Sequence, residues 1–167
     1  MMLDRETFIR ENLAVDTAPL VPEVELYLAS EITPIWRATA AELEAVGMPP
    51  PFWAFCWPGG QALARYILDN PETFRGRRVL DFAAGGGVAS IALAKAGAAS
   101  VTASEIDSYA IAALKLNAEI NNVCFEITEA DLTRMESQGW DMVIAGDVCY
   151  ERPMSERVTS WLRELAD

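Results

Sequence analysis

From residue 77 onward the chain alternates strand-like runs with helix-patterned segments, and this rhythm constrains its fold more than any other feature. Strand-like runs occupy 77–83, 100–105, 123–129 and 140–146, and helical spacing occupies 87–96, 107–120 and 153–166. Regular alternation of this kind implies right-handed crossovers and a parallel sheet with helices on both faces. The run "WDMVIAGD" is nearly all apolar, as expected of a strand buried on both sides. The expected fold is therefore α/β: a Rossmann-like, doubly wound, mostly parallel sheet.

Upstream of residue 77 the patterns are mixed. Residues 4–13 read as a short helix capped by Asp4 and amphipathic through Phe8, Ile9 and Leu13. "VPEVELYLAS" alternates apolar and charged positions, with Val24, Leu26 and Leu28 on one side, and reads as an edge strand. "ITPIWRATAAELEAVG" reads as a helix ending at Gly47, and "MPPPFWAFCWPGG" as a stiff aromatic connector before a helix over about 60–69. This divides the chain into an N-terminal α/β extension with its connector, residues 1–58, and a core of residues 59–167.

Composition narrows the function. The 167 residues suit one domain with a real core, and 51% of them are apolar. Acidic residues outnumber basic ones by 25 to 13, a formal charge of −12. Such a field repels phosphate backbones and anionic lipid, so neither nucleic acid nor a membrane surface is the expected partner. A cationic or lysine-rich partner fits better. The 3 cysteines lack metal-type spacing and there is no histidine, which excludes histidine-based triads and argues against a zinc site or disulfide framework. The N-terminus, "MMLDRETFIREN", has neither the apolar run of a signal peptide nor an acid-poor composition, so a cytoplasmic address is expected.

The chemistry-bearing stretch is "VLDFAAGGGVAS". In a doubly wound sheet, ligands lie beyond the carboxyl ends of the strands. Gly85, Gly86 and Gly87 permit positive φ there and close approach of a ligand, and the following helix presents free N–H groups. Glu105 ends the next strand run, 20 positions after Gly85, where a carboxylate can accept hydrogen bonds from a ribose diol. Asp107 precedes a helical run and reads as its N-cap. Asp131, in "EADL" after the third run, suits an adenine amino group. Together these describe an adenosyl-binding site, open to either NAD or S-adenosylmethionine. Two details favour the methyl donor. Ser90 stands where a dinucleotide fingerprint wants its third glycine, and the chain lacks room for a separate hydride-acceptor domain. Asp81, Ala83, Gly85 and Gly87 meet the methyltransferase pattern of an acid followed by spaced small residues, with alanine at the first glycine position.

Beyond these local patterns, "VPEVELYLA", "PFWAFCWPGGQALARYILDNP", "VLDFAAGGG", "SEIDSYAIAALKLNAEINN" and "GDVCYE" carry a wider likeness. Through them the chain resembles class I, seven-strand S-adenosylmethionine-dependent methyltransferases, and more narrowly the electron transfer flavoprotein β-subunit lysine methyltransferase family. That resemblance implies methyl transfer to lysine ε-amines of the flavoprotein β subunit. It implies that Asp147 and Tyr150, in a D-x-x-Y signature, meet the target lysine. It assigns Glu105 to the ribose, Gly85 and Gly87 to the cofactor loop, Asp131 to the adenine side, and Trp57 and Gly59 to a cover over the cofactor. The complete family fold continues through three more strands, so the resemblance also implies that C-terminal strands are absent from these residues. An NAD-dependent oxidoreductase and a non-catalytic adenosyl-binding module are the competing readings. Cys149, beside the signature, reads as packing.

Overall fold

The computed structural model describes residues 4–30, 50–136 and 138–166. The helix expected over 32–47 lies outside the described residues. Helix α1 (Arg5–Asn12) starts where Asp4 accepts a hydrogen bond from the Thr7 N–H, and it buries Ile9. Strands β1 (Ala14–Ala18) and β2 (Val21–Leu28) then form an antiparallel hairpin, pairing Val15 with Tyr27 and Thr17 with Glu25. The alternation in β2 buries Val24 and Leu26 as expected, but its strand partner is β1, whose sequence "AVDTA" carries no such alternation. β2 is thus half of a separate two-stranded sheet, not an edge of the main one.

The connector forms a single 3-10 turn over Phe52–Ala54. Helix α2 (Pro58–Asp69) follows, opened by a proline whose fixed φ and missing N–H suit a first turn. A short α3 (Pro71–Phe74) leads into the core. There β3 (Arg78–Phe82), α4 (Val88–Ala96), β4 (Ser100–Ser104), α5 (Ser108–Ile120), β5 (Glu126–Thr128), β6 (Met142–Ala145) and α6 (Arg152–Ala166) alternate, with a 3-10 turn at Leu132–Arg134. The four core strands lie parallel in the order β5-β4-β3-β6. The chain therefore winds outward from β3 through β4 to β5 and then returns to place β6 on the other side of β3.

Strand β3 shows how both faces are covered. Val79 points into a core shared with Val101, Ile144, Ala64 and Ile67 of α2, Ile91 and Leu93 of α4, and Val24 and Leu26 of the hairpin. Leu80 and Phe82 point the other way, against Val158 and Trp161 of α6. Fully burying such an aliphatic side chain stabilises by about 1.5–3 kcal/mol. Helix α4 lies between the sheet and α2 and is buried on almost every side, so its sequence is apolar all round. Strand β6 departs from expectation: Met142, Val143 and Ala145 are only half-buried, because among the described residues β6 pairs with β3 alone and forms the sheet's edge.

The hairpin is held by side chains that stand in for a strand. Asn117 Oδ1 accepts the Tyr27 N–H at 2.8 Å, and Asn121 Oδ1 accepts the Glu25 N–H at 3.2 Å. Asn121 Nδ2 also donates to the Glu25 carbonyl at 2.6 Å. Asn121, the C-cap of α5, follows Asn117 by one helical turn, the spacing that puts them on one face. Among the described residues, no helix is long and apolar enough to cross a membrane.

Candidate functional site

The connections leaving β3 and β6 diverge at the carboxyl edge of the sheet, the place where doubly wound folds hold ligands. A cleft of about 770 Å³ opens there. Its walls come from the connector around Phe52 to Trp57, the turn after β3, the turn after β4 and the segment Gly146 to Tyr150 after β6.

The turn after β3 places alternate residues in the left-handed region: Ala83 at φ 55°, Gly85 at 55° and Gly87 at 87°. Glycine adopts this freely, but for Ala83 it costs about 1–2 kcal/mol, the kind of strain that collects at functional sites. The turn is also tightly enclosed. A Cβ on Gly86 would lie 3.0 Å from the Trp53 carbonyl oxygen, and one on Gly87 would lie 2.6 Å from Leu114 Cδ2. Gly85 lines the cleft; Gly87 instead sits beneath it, against α5.

Glu105 ties this turn to the next strand. Its Oε2 accepts the Gly85 N–H at 3.0 Å, and its Oε1 accepts the N–H groups of Ile106 and Asp107 at 2.8 and 3.3 Å. Burial raises its pKa, opposed by those same backbone donors. A carboxylate offers about four acceptor directions, so a bound diol would share or displace one of these contacts. Asp107 caps α5 as its position suggests, accepting the Tyr109 N–H at 2.8 Å, and it also reaches the cleft wall.

Asp81, on β3, is buried and lines the cleft floor. Ser90 Oγ donates to its Oδ2 at 2.6 Å. Burial pushes the Asp81 carboxyl up to about 6, against the Ser90 hydrogen bond, which favours the charged form. Ser90, noted in the sequence only as a missing glycine, is thus this acid's partner.

At the opposite wall, Asp147 Oδ2 accepts the Gly60 N–H at 2.9 Å. Tyr150 is 64% exposed and meets Phe52 edge-on, ring centroids 5.8 Å apart. Trp57 packs against Phe52 and Phe55, and its indole N–H donates to the Phe52 carbonyl at 2.8 Å. These aromatic side chains form the rim of the cleft. Gly59 is not among the lining residues; it lies against the Asp147 carboxylate. Asp131 stands apart as well. Its carboxylate accepts from Thr133 Oγ1 at 2.6 Å and from the Thr133 N–H at 3.2 Å, and it pairs with Arg134. Cys149 is exposed on the cleft wall rather than packed, whereas burial, with the Asp147 charge adding to it, pushes the Cys56 thiol up to about 12. Cys56 is therefore no nucleophile.

The structure thus brings Trp57, Asp81, Gly85, Glu105, Asp147 and Tyr150 to one cleft. It adds Asn117, whose Nδ2 donates to the Gly86 carbonyl at 2.8 Å while its Oδ1 holds β2. The signal for Asn117 was an asparagine among apolar residues of α5, four before a second asparagine at the helix's C-cap. Four carboxylates line the cleft, those of Asp81, Glu105, Asp107 and Asp147, and among the described residues no lysine or arginine does.

Comparison with known proteins bears on the family and the fold. The family model described as ribosomal protein L11 methyltransferase (PrmA) matches residues 61–148. The electron transfer flavoprotein beta subunit lysine methyltransferase of Danio rerio is 39% identical over 162 residues, 96% of this chain and 62% of that protein. The Caenorhabditis elegans homolog is 35% identical over 171 residues, 93% of this chain and 69% of its own length. The chain thus spans about three-fifths to two-thirds of these relatives. Among solved structures, magnesium protoporphyrin IX methyltransferase from Synechocystis PCC 6803, with bound SAH, superposes with a TM-score of 0.54 at 26% identity, covering 65% of this chain and 50% of that one. Ribosomal protein L11 methylase from Lactobacillus delbrueckii subsp. bulgaricus gives 0.52 at 23%, covering 65% and 52%, a likeness of fold. On its sequence and its class I fold, the chain belongs to the electron transfer flavoprotein β-subunit lysine methyltransferase family.

Proposed function

We propose that the cleft binds S-adenosylmethionine and that the chain is the cofactor-binding part of a protein-lysine N-methyltransferase, with the electron transfer flavoprotein β subunit as first substrate. The observation that carries this reading is the charge of the cleft: four carboxylates and, among the described residues, no basic side chain around a glycine turn. A sulfonium and an amine suit that field. The pyrophosphate of a dinucleotide does not, which weighs against a nicotinamide enzyme.

The residues fit the methyl donor. The glycine turn and its positive-φ backbone let a ligand approach the main chain, Glu105 offers acceptors for a sugar diol, and Asp81, on the cleft floor, would offer a carboxylate to the cofactor's amino group. Trp57 supplies apolar cover at the rim. When bound, S-adenosylmethionine supplies a methyl group on positively charged sulfur, open to displacement by a neutral amine.

The chain's own contribution is orientation and electrostatics. Lysine has an ordinary pKa of about 10.4, so the amine must arrive or become deprotonated. Asp147 can accept a hydrogen bond from that amine and stabilise the positive charge that develops on nitrogen. Tyr150, exposed beside it, can wall the aliphatic stem of the lysine or hydrogen-bond its amine. Alignment of donor and acceptor supplies much of the rate, which is consistent with a chain that contains no histidine.

Incubation with labelled S-adenosylmethionine and purified flavoprotein tests this. Mass spectrometry should find methyl groups on lysines of the β subunit. Asp147→Asn, which keeps an oxygen for the Gly60 N–H, should lower the rate on the order of 100-fold. An undiminished rate in that variant removes the role assigned to Asp147. Cofactor binding with no methylation of any lysine-bearing protein supports a non-catalytic module instead.

A further inference from the structure

The two most distinctive stretches, "WPGG" and "GDVCY", are far apart in sequence yet interlock in space. Gly60 and Asp147, 87 positions apart, are joined by the N–H to Oδ2 hydrogen bond. A Cβ on Gly59 would sit 2.5 Å from Asp147 Oδ2, 2.8 Å from Cγ and 2.9 Å from Oδ1. From the other side, a Cβ on Gly146 would sit 3.0 Å from the Gly60 nitrogen and 3.2 Å from its Cα. Backbone therefore meets backbone at Gly146, and the carboxylate lies in the space that the absent side chain of Gly59 leaves.

The first turn of α2 gives this contact a second role. Trp57, at the N-cap, makes no side-chain capping bond, so the turn's free N–H groups need an acceptor from elsewhere. Asp147 provides one for the Gly60 N–H. Asp147 itself has φ 50°, a left-handed conformation that this clamp must sustain. Among the described residues its Oδ1 meets no hydrogen-bond donor, and the residue lines the cleft.

We infer that Gly59 is a positioning residue for Asp147 rather than part of the cover over the cofactor: its missing side chain lets the N-terminus of α2 grip one carboxylate oxygen and aim the other into the cleft. This rests on the reading of Asp147 as the group that meets the amine. Misplacing such a group by about an ångström costs on the order of 100-fold in rate.

The test compares Gly59→Ala, Asp147→Ala and the double variant. Gly59→Ala should lower kcat on the order of 100-fold while the KM for flavoprotein and the calorimetric Kd for S-adenosylhomocysteine stay unchanged. The Gly60 amide proton, shifted downfield by the charged acceptor, should move upfield in either single variant. In the Asp147→Ala background, Gly59→Ala should cost nothing further in rate or thermal midpoint, because no carboxylate remains to collide with. Should Gly59→Ala fold poorly, recovery of the thermal midpoint in the double variant supports the clash, and failure to recover overturns it. A silent Gly59→Ala, or one whose loss comes through weaker S-adenosylhomocysteine binding, also overturns the inference. If Asp147→Ala keeps wild-type rate, the reading of Asp147 fails first, and the amide shift alone then marks a structural clamp.

Discussion

Asp81 shows how a single residue links the sheet's stability to its site. Burial raises its carboxyl to about 6, against an ordinary value of about 3.9. A group with a raised folded pKa holds its proton more tightly in the fold than in the unfolded chain. Its contribution to stability is complete below about pH 3.9 and is lost as pH rises through about 6, a difference on the order of 2–3 kcal/mol. Asp81→Asn cannot ionise, so its stability relative to wild type should improve by roughly that amount between pH 3.5 and pH 7.5. Urea melts at the two pH values check this; a difference that does not change with pH contradicts it. Ala83 gives a second prediction at this scale. Replacing it by glycine removes a left-handed strain of about 1–2 kcal/mol and adds backbone entropy of about 0.5–1 kcal/mol to the unfolded state. Ala83→Gly should therefore raise the thermal midpoint slightly; a fall would show that the alanine is unstrained. The acids themselves were legible in the sequence because each lies in or just after a strand run. Their partners were less so. Ser90 lies nine residues from Asp81 and is brought to it only when α4 folds back on β3, and Asp131 was placed near adenine by strand order although its own turn occupies its carboxylate.

Among the elements, helix α5 couples the hairpin to the glycine turn. The Asn117 side chain is buried and joins the Tyr27 N–H to the Gly86 carbonyl, so one residue fixes both. Asn117→Ala leaves two part-buried partners unpaired, at about 1–3 kcal/mol each. It should lower stability by about 2–6 kcal/mol, speed amide exchange at Tyr27 and weaken S-adenosylhomocysteine binding. Normal exchange at Tyr27 in a folded variant would contradict the coupling. Element types in the core followed from the alternation of short strand-like runs with longer helical segments, since even α4 and β6, apolar on both sides, differ in length and in their flanking turn residues. β1 was illegible because "AVDTA" is mostly exposed and owes its strand form to β2. The role of Asn117 was illegible because a polar side chain in an apolar helix does not name its partner.

For the whole molecule, acidity organises recognition. A net charge of −12 surrounds a cleft walled by carboxylates, a field that on the proposed function would draw a lysine-bearing substrate toward it over distances that salt shortens. The KM for the flavoprotein should rise severalfold between low salt and roughly 0.3 M, well past the point where the Debye length falls below about 10 Å, while the KM for S-adenosylmethionine changes little. Equal sensitivity of the two would contradict steering of the protein substrate. The winding of the sheet was legible from the alternation of patterns alone. The docking of "WPGG" on "GDVCY" was not, because no local periodicity relates residues 87 apart. One titration tests the cleft's assignment most directly: calorimetry of the protein with S-adenosylmethionine and, separately, with NAD. The account predicts one S-adenosylmethionine bound per chain, much weaker binding in Glu105→Ala, and no heat from NAD; saturable NAD binding with none of the methyl donor would contradict it.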